Sequence, residues 1–159
     1  MMERTLILLK PDAVQRQIVG QVIARFENAG LKLVGMKMVW MDKTFSKKHY
    51  AAHIEKTFYV GLENFMTEGP VVALVIQGLH AVSLVRKLVG STEPHKAPPG
   101  TIRGDYCHHS YEYTDKKGIA IRNVVHASGS PEEAKVEVAL WFTDKELHDY
   151  KTVHEAHVF

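Results

Sequence analysis

A histidine at the end of an apolar run is followed by a helical segment that carries one carboxylate in its apolar face. His126 ends the run NVVH, and Glu137 lies eleven residues further along. Burying a carboxylate without a partner is unfavourable, so Glu137 must reach water or a donor. Because helical side chains lean toward the N-terminus, its carboxylate is directed back toward the turn that contains His126 and Ser128. The apolar residues at helical spacing around it are Ala134, Val138 and Trp141.

A carboxylate that holds one imidazole nitrogen, directly or through a serine hydroxyl, leaves the other nitrogen free as a nucleophile. Glu137 and Ser128 would then orient His126 for catalysis. In the alternative interpretation, His126 is a satisfied residue at a strand end and Glu137 extends into solvent. These residues alone favour neither interpretation over the other.

The residues just after His126 predict an anion site. Ser130, Pro131 and Glu133 form a strong helix start, with a serine cap, a proline in the first turn and a glutamate three residues after the cap. Backbone N–H groups and the helix dipole at such an end favour a phosphate. His126 is therefore expected beside that end of the helix.

Three cationic side chains extend this interpretation. Lys10 follows a strand, Arg86 lies in an otherwise apolar helix, and Arg103 stands between glycines in GTIRGD. Taken singly, each has a structural explanation: solvation for Lys10, extension to solvent for Arg86, and loop bracing for Arg103. Together they match what phosphoryl transfer requires, which is positive charge around a polyphosphate.

Composition limits the class of protein. The 159 residues suffice for one domain with its own core, and 45% hydrophobic with 24% charged residues is typical of globular proteins. A formal charge of +2 is too small to indicate a polyanion-binding surface, so we expect no specific nucleic-acid partner. The single cysteine, Cys107, and a first apolar run too short for a signal peptide or a membrane span predict a cytoplasmic protein with no membrane association.

The hydrophobic periodicity predicts an alternating order of strands and helices. Strands are expected at 4–9, 31–40, 69–78 and 118–125, and helices at 19–29, within 46–66 as a hairpin, at 81–90 and after Ser130. Residues 91–105, rich in proline and glycine, are expected to be irregular and functional. This order gives a single α+β domain over residues 1–159, a ferredoxin-like βαββαβ fold whose four antiparallel strands are covered by helices on one face.

The sequence resembles the nucleoside diphosphate kinases over nearly its whole length. The matching segments occur in the family's order, and N-x-x-H-A-S is the most specific of them. The resemblance implies a ferredoxin-like fold and a ping-pong reaction, in which a nucleoside triphosphate, typically ATP, phosphorylates a histidine that then phosphorylates a nucleoside diphosphate. Such a reaction balances the cellular pools of NTPs and dNTPs. The segments that carry the resemblance are KPDAVQR, HY, GPVVALVIQG, STEP, PPGTIRGD and NVVHASGS.

Site roles follow from the resemblance position by position. His126 matches the phosphohistidine, which reacts through its δ nitrogen, and Ser128 and Glu137 match the residues that hold it. Phe58 matches the aromatic residue that stacks on the base, which would explain tolerance of many bases. The resemblance also implies Mg²⁺ held mainly by the nucleotide phosphates, with no protein metal site. The residues matched to the phosphate and sugar contacts are Lys10, Tyr50, Arg86, Thr92, Arg103 and Asn123.

The chain departs from the family pattern at two places. Gly129 stands where the family usually has an aspartate, so any role of that carboxylate near the phosphates is absent or supplied elsewhere. The segment that includes HHSYEYTDKKG is longer than in the common animal members and resembles that of archaeal ones. The resemblance further implies a homo-oligomer, a hexamer or less commonly a tetramer, with the loop at 94–99 in the trimer contacts of hexamers.

Two other functions are less consistent with the sequence. His49 and His53 have helical spacing but lack the glutamate of the zinc-protease pattern, and the remaining histidine clusters lack accompanying ligands. We therefore expect all of them to be surface residues, with opportunistic metal binding in the tail. A non-catalytic binding module would require aromatic and basic residues on strand faces, whereas these strands are mostly aliphatic. The other clusters are His108 with His109, and His148, His154 and His157.

Overall fold

The computed structural model describes residues 1–153 and 155–158, so His154 of the predicted tail cluster lies outside the described residues. Within them the strands form one four-stranded sheet in the order β2-β3-β1-β4, and neighbouring strands are antiparallel. This order and the helical connections confirm the predicted ferredoxin-like fold. The strands are β1 (Met2–Leu9), β2 (Lys32–Val39), β3 (Val71–Leu79) and β4 (Val125–Ala127).

The helices at 19–29, 46–66, 81–90 and after Ser130 are confirmed with small shifts of their ends. Tyr50 ends α3 as its C-terminal cap, and Phe58 precedes the first residue of α4. No helix of the described part of the chain has the length and apolar character needed to cross a membrane. The helices are α1 (Pro11–Gln15), α2 (Val19–Glu27), α3 (Lys43–His49), α4 (Tyr59–Thr67), α5 (Ala81–Val89), α6 (Ile102–Tyr106), α7 (Tyr111–Lys117), α8 (Pro131–Trp141) and α9 (Glu155–Val158).

Helices cover both faces of the sheet, so the expectation of one covered face is wrong. Ile7 and Leu9 of β1 pack with α2 and α5, whereas Leu6 and Leu8 pack with α4 and α8. All four side chains are inaccessible to solvent. A strand buried on both faces carries a continuous apolar run, as β1 does.

The expected strand at 118–125 is also wrong, because β4 begins only at Val125. Val124 has a φ of 56°, and Val125 N–H donates to the Asn123 carbonyl at 2.7 Å, which closes a γ-turn that a strand cannot contain. Asp12 accepts the Val124 N–H at 3.1 Å, and Lys10 N–H donates to the Val124 carbonyl at 2.8 Å. Contacts with Lys10 and with Asp12 of α1 thus hold Val124 in a backbone conformation that is unfavourable for a β-branched residue.

The segment 91–105 is less irregular than its composition predicts. It contains a short 3₁₀ helix, Pro94–Lys96, and the first residues of α6. The Thr101 hydroxyl caps α6 by accepting the Gly104 N–H at 3.0 Å. Gly104 has no room for a side chain, since a Cβ would lie 2.0 Å from the Pro98 carbonyl oxygen. Local capping and this close approach give the segment a regular helix despite its prolines and glycines.

Candidate active site

His126 lies in the short strand β4, opposite Leu8 of β1. The strand ends at Ala127, and α8 begins four residues later with Ser130 as its cap, whose hydroxyl accepts the Glu133 N–H at 3.1 Å. The predicted helix start is confirmed. The imidazole is partly exposed, with 22% of its side chain accessible. It is therefore reachable from solvent at the N-terminal end of α8.

Glu137 reaches back along α8 to His126, as the lean of helical side chains predicted. His126 Nε2–H donates to the carboxylate, with Nε2 3.0 Å from Oε1 and 3.1 Å from Oε2. The Ser128 hydroxyl donates to Oε2 at 2.6 Å and accepts the Leu6 N–H at 3.2 Å. Because Nε2 carries the hydrogen that is donated to the carboxylate, the lone pair of the imidazole lies on Nδ1.

The ionisation of Glu137 follows from these contacts. Burial alone would raise the pKa of its carboxyl group, but the hydrogen bond and charge of His126, with the Ser128 hydroxyl, lower the pKa below its ordinary value. Glu137 is therefore neither an unpaired buried acid nor a residue extended into solvent. It is a carboxylate held between two donors.

Lys10 and Asn123 form a second polar group of the candidate site. Lys10 is buried, and its ammonium donates to Asn123 Oδ1 at 2.7 Å, while Asn123 Nδ2 donates to the Thr92 carbonyl at 2.8 Å. Burial, followed by the charge of Arg103, lowers the pKa of Lys10 to about 8. This cation thus lies in an environment that disfavours its charge, which an anionic ligand would relieve.

Arg103 is buried and bonded to the backbone on both sides of the γ-turn. Its guanidinium donates to the carbonyls of Gly90, Asn123 and Val125 at 3.1, 3.3 and 2.6 Å. Burial, and then the charge of Arg86, lowers its pKa to about 10. Arg103 therefore braces the loop, as the structural explanation drawn from the sequence expected. Its contacts still leave some of its five N–H groups for a ligand.

The other site candidates surround these groups at different depths. Arg86 and Thr92 are exposed, and Phe58 is 55% exposed at the start of α4. Tyr50 is buried, and burial raises the pKa of its hydroxyl group. Its oxygen has no hydrogen-bond partner among the described residues.

A row of aromatic rings connects Phe58 with His126. Ring centroids are 5.8 Å apart between Phe58 and His53, 6.4 Å between His53 and Tyr50, 4.5 Å between Tyr50 and His49, and 4.9 Å between His49 and His126. The predicted base-stacking residue and the predicted phosphate carrier are thus linked by a chain of ring contacts, part of which is buried.

Two cavities of the surface lie away from the predicted site residues. One cavity of about 520 Å³ lies along α8 and the start of β1, and one of about 350 Å³ lies near Trp141 and Thr143. None of the residues assigned to catalysis or nucleotide contact lines either of these two cavities. The candidate site is defined here by its convergent polar side chains.

The structure corrects the interpretation of His49 as a surface residue. His49 is only partly exposed, and its Nδ1 accepts the Trp141 indole N–H at 3.2 Å. Burial, followed by the charge of His126, lowers its pKa to about 3. Sequence reasoning missed both His49 and Asp12, although each is part of a motif that carries the family resemblance.

The position of the absent family aspartate is occupied by another carboxylate. Gly129 N–H donates to Glu133 Oε2 at 2.9 Å, and a Cβ on Gly129 would lie 2.6 Å from that oxygen. Glu133 is the glutamate of the predicted helix start. A negative charge thus remains at residue 129 although its own side chain is lost.

Metal ligands converge at one place in residues 1–153 and 155–158. Ligand atoms of His49, His126 and Glu137 lie within 4.8 Å of one another. The pair His108 and His109 and the tail residues His148 and His157 form no such group there. Two imidazoles and a carboxylate suit zinc better than Mg²⁺, which prefers oxygen ligands.

Several known proteins that are similar to this chain are nucleoside diphosphate kinases. A family model described as nucleoside diphosphate kinase matches residues 3–147. A nucleoside diphosphate kinase of Pyrococcus abyssi is 51% identical over 148 residues, covering 93% of this chain and 89% of that protein. One of Archaeoglobus fulgidus is 46% identical over 159 residues, covering 99% and 98%.

Solved structures give the same result. The nucleoside diphosphate kinase of Borrelia burgdorferi, described as a transition-state mimic with bound vanadate and ADP, has a TM-score of 0.94 at 41% identity, covering 98% of this chain and 95% of that one. The Halobacterium salinarum enzyme in complex with CDP has a TM-score of 0.89 at 40% identity, covering 100% and 99%. Fold, sequence and family model agree, and the chain belongs to the nucleoside diphosphate kinase family, a family of transferases.

Proposed function

We propose that His126 carries a phosphoryl group in a ping-pong reaction between a nucleoside triphosphate, typically ATP, and a nucleoside diphosphate. The reaction would balance cellular NTP and dNTP pools. One observation carries the proposal: His126 Nε2–H donates a hydrogen bond to Glu137, so that Nδ1 of this solvent-reachable ring carries no hydrogen.

In the first half-reaction the Nδ1 lone pair forms a bond to the γ-phosphorus. The bond from this phosphorus to the β–γ bridging oxygen breaks, and the nucleoside diphosphate leaves with its electron pair. Positive charge that develops on the imidazole of His126 is offset by the Glu137 carboxylate across Nε2–H. In the second half-reaction a terminal oxygen of another nucleoside diphosphate attacks the same phosphorus and restores the histidine.

The polar groups around His126 are assigned to the phosphates and the sugar. Lys10 and Arg103 supply buried positive charge, which stabilises a polyphosphate more strongly than exposed charge does. The unpartnered hydroxyl of Tyr50 is a donor that a phosphoryl oxygen would satisfy. The bound vanadate and ADP of the Borrelia burgdorferi enzyme support a phosphate site in this fold. The residues assigned to these contacts are Lys10, Tyr50, Arg86, Thr92, Arg103 and Asn123.

The base is assigned to Phe58, whose exposed ring offers a stacking surface. Stacking tolerates different bases because each has a π face, so we infer broad base specificity. The CDP complex of the Halobacterium salinarum enzyme supports the binding of a nucleoside diphosphate in this family. A Phe58→Ala variant should raise KM for several nucleotides while changing kcat little.

Mg²⁺ is assigned to the nucleotide rather than to the protein. The ligand group in the described residues combines two imidazoles with a carboxylate that is already bonded to His126 and Ser128, which does not suit an ion that prefers six oxygen ligands. Mg²⁺ held by the phosphates would neutralise part of their charge. Glu133, beside Gly129, is the nearest counterpart of the missing family aspartate.

We further propose that residues 1–159 form one domain, that the chain acts in the cytoplasm, and that it assembles into a hexamer or, less commonly, a tetramer. Assembly is supported by the sheet edge at β2, where the apolar side chains of Met36, Met38 and Trp40 are exposed. Light scattering at assay concentration measures the subunit number directly. A monomer would contradict the proposed assembly.

Phosphate transfer to the protein tests the proposed reaction. The chain is incubated with γ-labelled nucleoside triphosphate, denatured in base and freed of nucleotide. We expect label that is stable in base and lost in acid, as for phosphohistidine. His126→Ala should carry none, whereas His148→Ala, which removes an exposed histidine far along the chain, should retain it. Full labelling of the His126→Ala variant would overturn the proposal.

A further inference from the structure

The imidazole of His49 lies beside the nucleophile but has no role in the proposed reaction. The His49 and His126 rings meet edge to face, with centroids 4.9 Å apart and planes at 84°. Ligand atoms of both rings and of Glu137 lie within 4.8 Å of one another. In a tetrahedral zinc site the ligand atoms are about 3.3–3.5 Å apart, so side-chain movements of about 1 Å would complete such a site.

Trp141 determines which nitrogen of His49 carries the hydrogen. An indole N–H only donates, so its contact of 3.2 Å requires His49 Nδ1 to accept and places the hydrogen on Nε2. His49 Nε2 is buried and has no hydrogen-bond partner among the described residues. A ring nitrogen that carries a hydrogen has no lone pair for a metal ion.

We propose that the hydrogen bond from Trp141 to His49 is a tautomer lock that keeps divalent transition-metal ions such as Zn²⁺ off His126 and Glu137. To bind the ion, His49 would have to release the indole N–H from Nδ1, or move its own hydrogen from Nε2 to Nδ1, where it would face that N–H. The lock therefore makes metal binding unfavourable without adding charge to the site. Mg²⁺ is not affected, because it prefers oxygen ligands in octahedral geometry.

The lock matters because the ion would remove the nucleophile. Coordination through His126 Nδ1 occupies its lone pair directly, and coordination through Nε2 requires the hydrogen on that nitrogen to move to Nδ1. In either case Nδ1 has no lone pair with which to attack phosphorus. This inhibitory consequence rests on the proposed function of His126, whereas the lock itself depends only on the contacts of His49 and Trp141.

The test compares four proteins: the natural chain, Trp141→Phe, His49→Phe and the double variant. Phenylalanine keeps an aromatic ring against Phe45, whose centroid is 4.8 Å from that of Trp141. Co²⁺ replaces Zn²⁺ as a visible probe, measured without nucleotide. We expect the absorption of tetrahedral Co²⁺ in Trp141→Phe only, because only this variant combines the His49 ligand with a free choice of tautomer.

Inhibition is measured in parallel, with Mg²⁺-nucleotide in excess and each protein compared with its own zinc-free rate. Loss of one hydrogen bond predicts that Trp141→Phe is half-inhibited at a Zn²⁺ concentration at least about tenfold lower than the natural chain. The double variant should lose this sensitivity. Zinc that replaces Mg²⁺ on the nucleotide acts on all four proteins alike.

Two results would overturn the lock: equal Co²⁺ and Zn²⁺ responses of the natural chain and Trp141→Phe, or tetrahedral Co²⁺ binding by the natural chain that His49→Phe abolishes. A two-bond ¹H–¹⁵N correlation spectrum of the natural chain identifies the His49 tautomer directly. The inference is therefore tested even if Trp141→Phe does not fold. We expect hydrogen on Nε2, and hydrogen on Nδ1 would refute the lock. Co²⁺ binding by Trp141→Phe without inhibition would instead contradict the role of His126.

Discussion

His126 is held by other side chains, whereas the buried cation Arg103 is held by backbone carbonyls. The contacts of His126 come from Glu137 of α8 and, through that carboxylate, from Ser128 after β4. Arg103 instead donates to three backbone carbonyls, at the end of α5, before the γ-turn and at the start of β4. The first arrangement orients one imidazole, whose Nδ1 is the proposed reactive atom, and the second keeps the positive-φ segment at Val124 in place.

This difference predicts how each region fails. A change in the side-chain contacts of His126 should lower the rate and leave the fold nearly intact. A change in the bracing of the γ-turn at Val124 should lower the free energy of unfolding, because carbonyls lose their donors and the turn is released. Rate and stability measurements on matched variants therefore separate the two regions.

The largest effect on stability is expected from Arg103→Ala. The variant leaves the carbonyls of Gly90, Asn123 and Val125 without this donor and should lower the free energy of unfolding by about 3 kcal/mol. Denaturant titration measures it. Arg86→Ala is the matched control: this exposed residue should change stability by less than about 0.5 kcal/mol. Equal losses in the two variants would show that the carbonyl contacts of Arg103 contribute little.

Glu137→Gln tests the other side of the comparison. The amide keeps the size of the side chain but loses the charge that offsets the developing imidazolium of His126. Phosphorylation of His126 in a single turnover should slow more than about tenfold, with nucleotide affinity little changed. Glu132→Gln, an exposed carboxylate in the first turn of α8, is the control. If Glu137→Gln reacts at the natural rate, its carboxylate has only a structural role.

The pH dependence of kcat/KM for the nucleotide tests the proposed role of Lys10. Burial, with the charge of Arg103, lowers the pKa of Lys10 to about 8, so its ammonium loses its proton above that pH in the free enzyme. We expect kcat/KM to fall up to about tenfold per pH unit above pH 8, since it reports the free enzyme. Lys10→Arg stays charged and should lack this decline. A decline that persists in Lys10→Arg would assign it to another group.

The same shift has a consequence for stability with the opposite trend. The unfolded chain holds the Lys10 proton more tightly than the folded protein does, because its pKa there is near the ordinary 10.5. The contribution of Lys10 to the free energy of unfolding should therefore rise as pH increases from about 8 to 10.5. Denaturant titrations of the natural chain and Lys10→Arg across this range measure the difference. Parallel curves would contradict the lowered pKa.

The smallest effect is expected from Gly129→Ala. A Cβ there would meet the Glu133 carboxylate at 2.6 Å, but this is the end of a flexible side chain that can move. We expect a change below about 1 kcal/mol in the free energy of unfolding and a small change in rate. A large loss of activity would show that Glu133 must stay beside residue 129.

Local signals in the sequence predict much of the group formed by His126, Ser128 and Glu137. Ser130 and Pro131 mark the start of α8, and the lean of helical side chains gives the direction of Glu137. The arrangement of Lys10, Arg103 and Asn123, which are assigned to the phosphates and sugar, depends instead on contacts between distant segments. Nothing near Val124 in sequence indicates a positive φ, because the groups that hold it come from Lys10 and Asp12 after β1.

Two further features were not predicted, one for lack of a local signal and one despite such a signal. The tautomer of His49 is set by Trp141, ninety-two residues later, so spacing alone left His49 among surface histidines. The second covered face of the sheet had a signal in the unbroken apolar run of β1, since alternation is expected when one face is exposed. The four strands in their order were predictable because each lies in an apolar run or, for β2, in a segment that alternates with period two, although the γ-turn shortens β4.

The position of the phosphoryl group on His126 tests the central claim most directly. Phosphorylated protein is prepared from chain labelled with ¹⁵N in histidine, and the nitrogen coupled to phosphorus is identified by NMR. The hydrogen bond from Nε2–H to Glu137 predicts phosphorus on Nδ1 of His126. Phosphorus on Nε2, or on another residue, would contradict it.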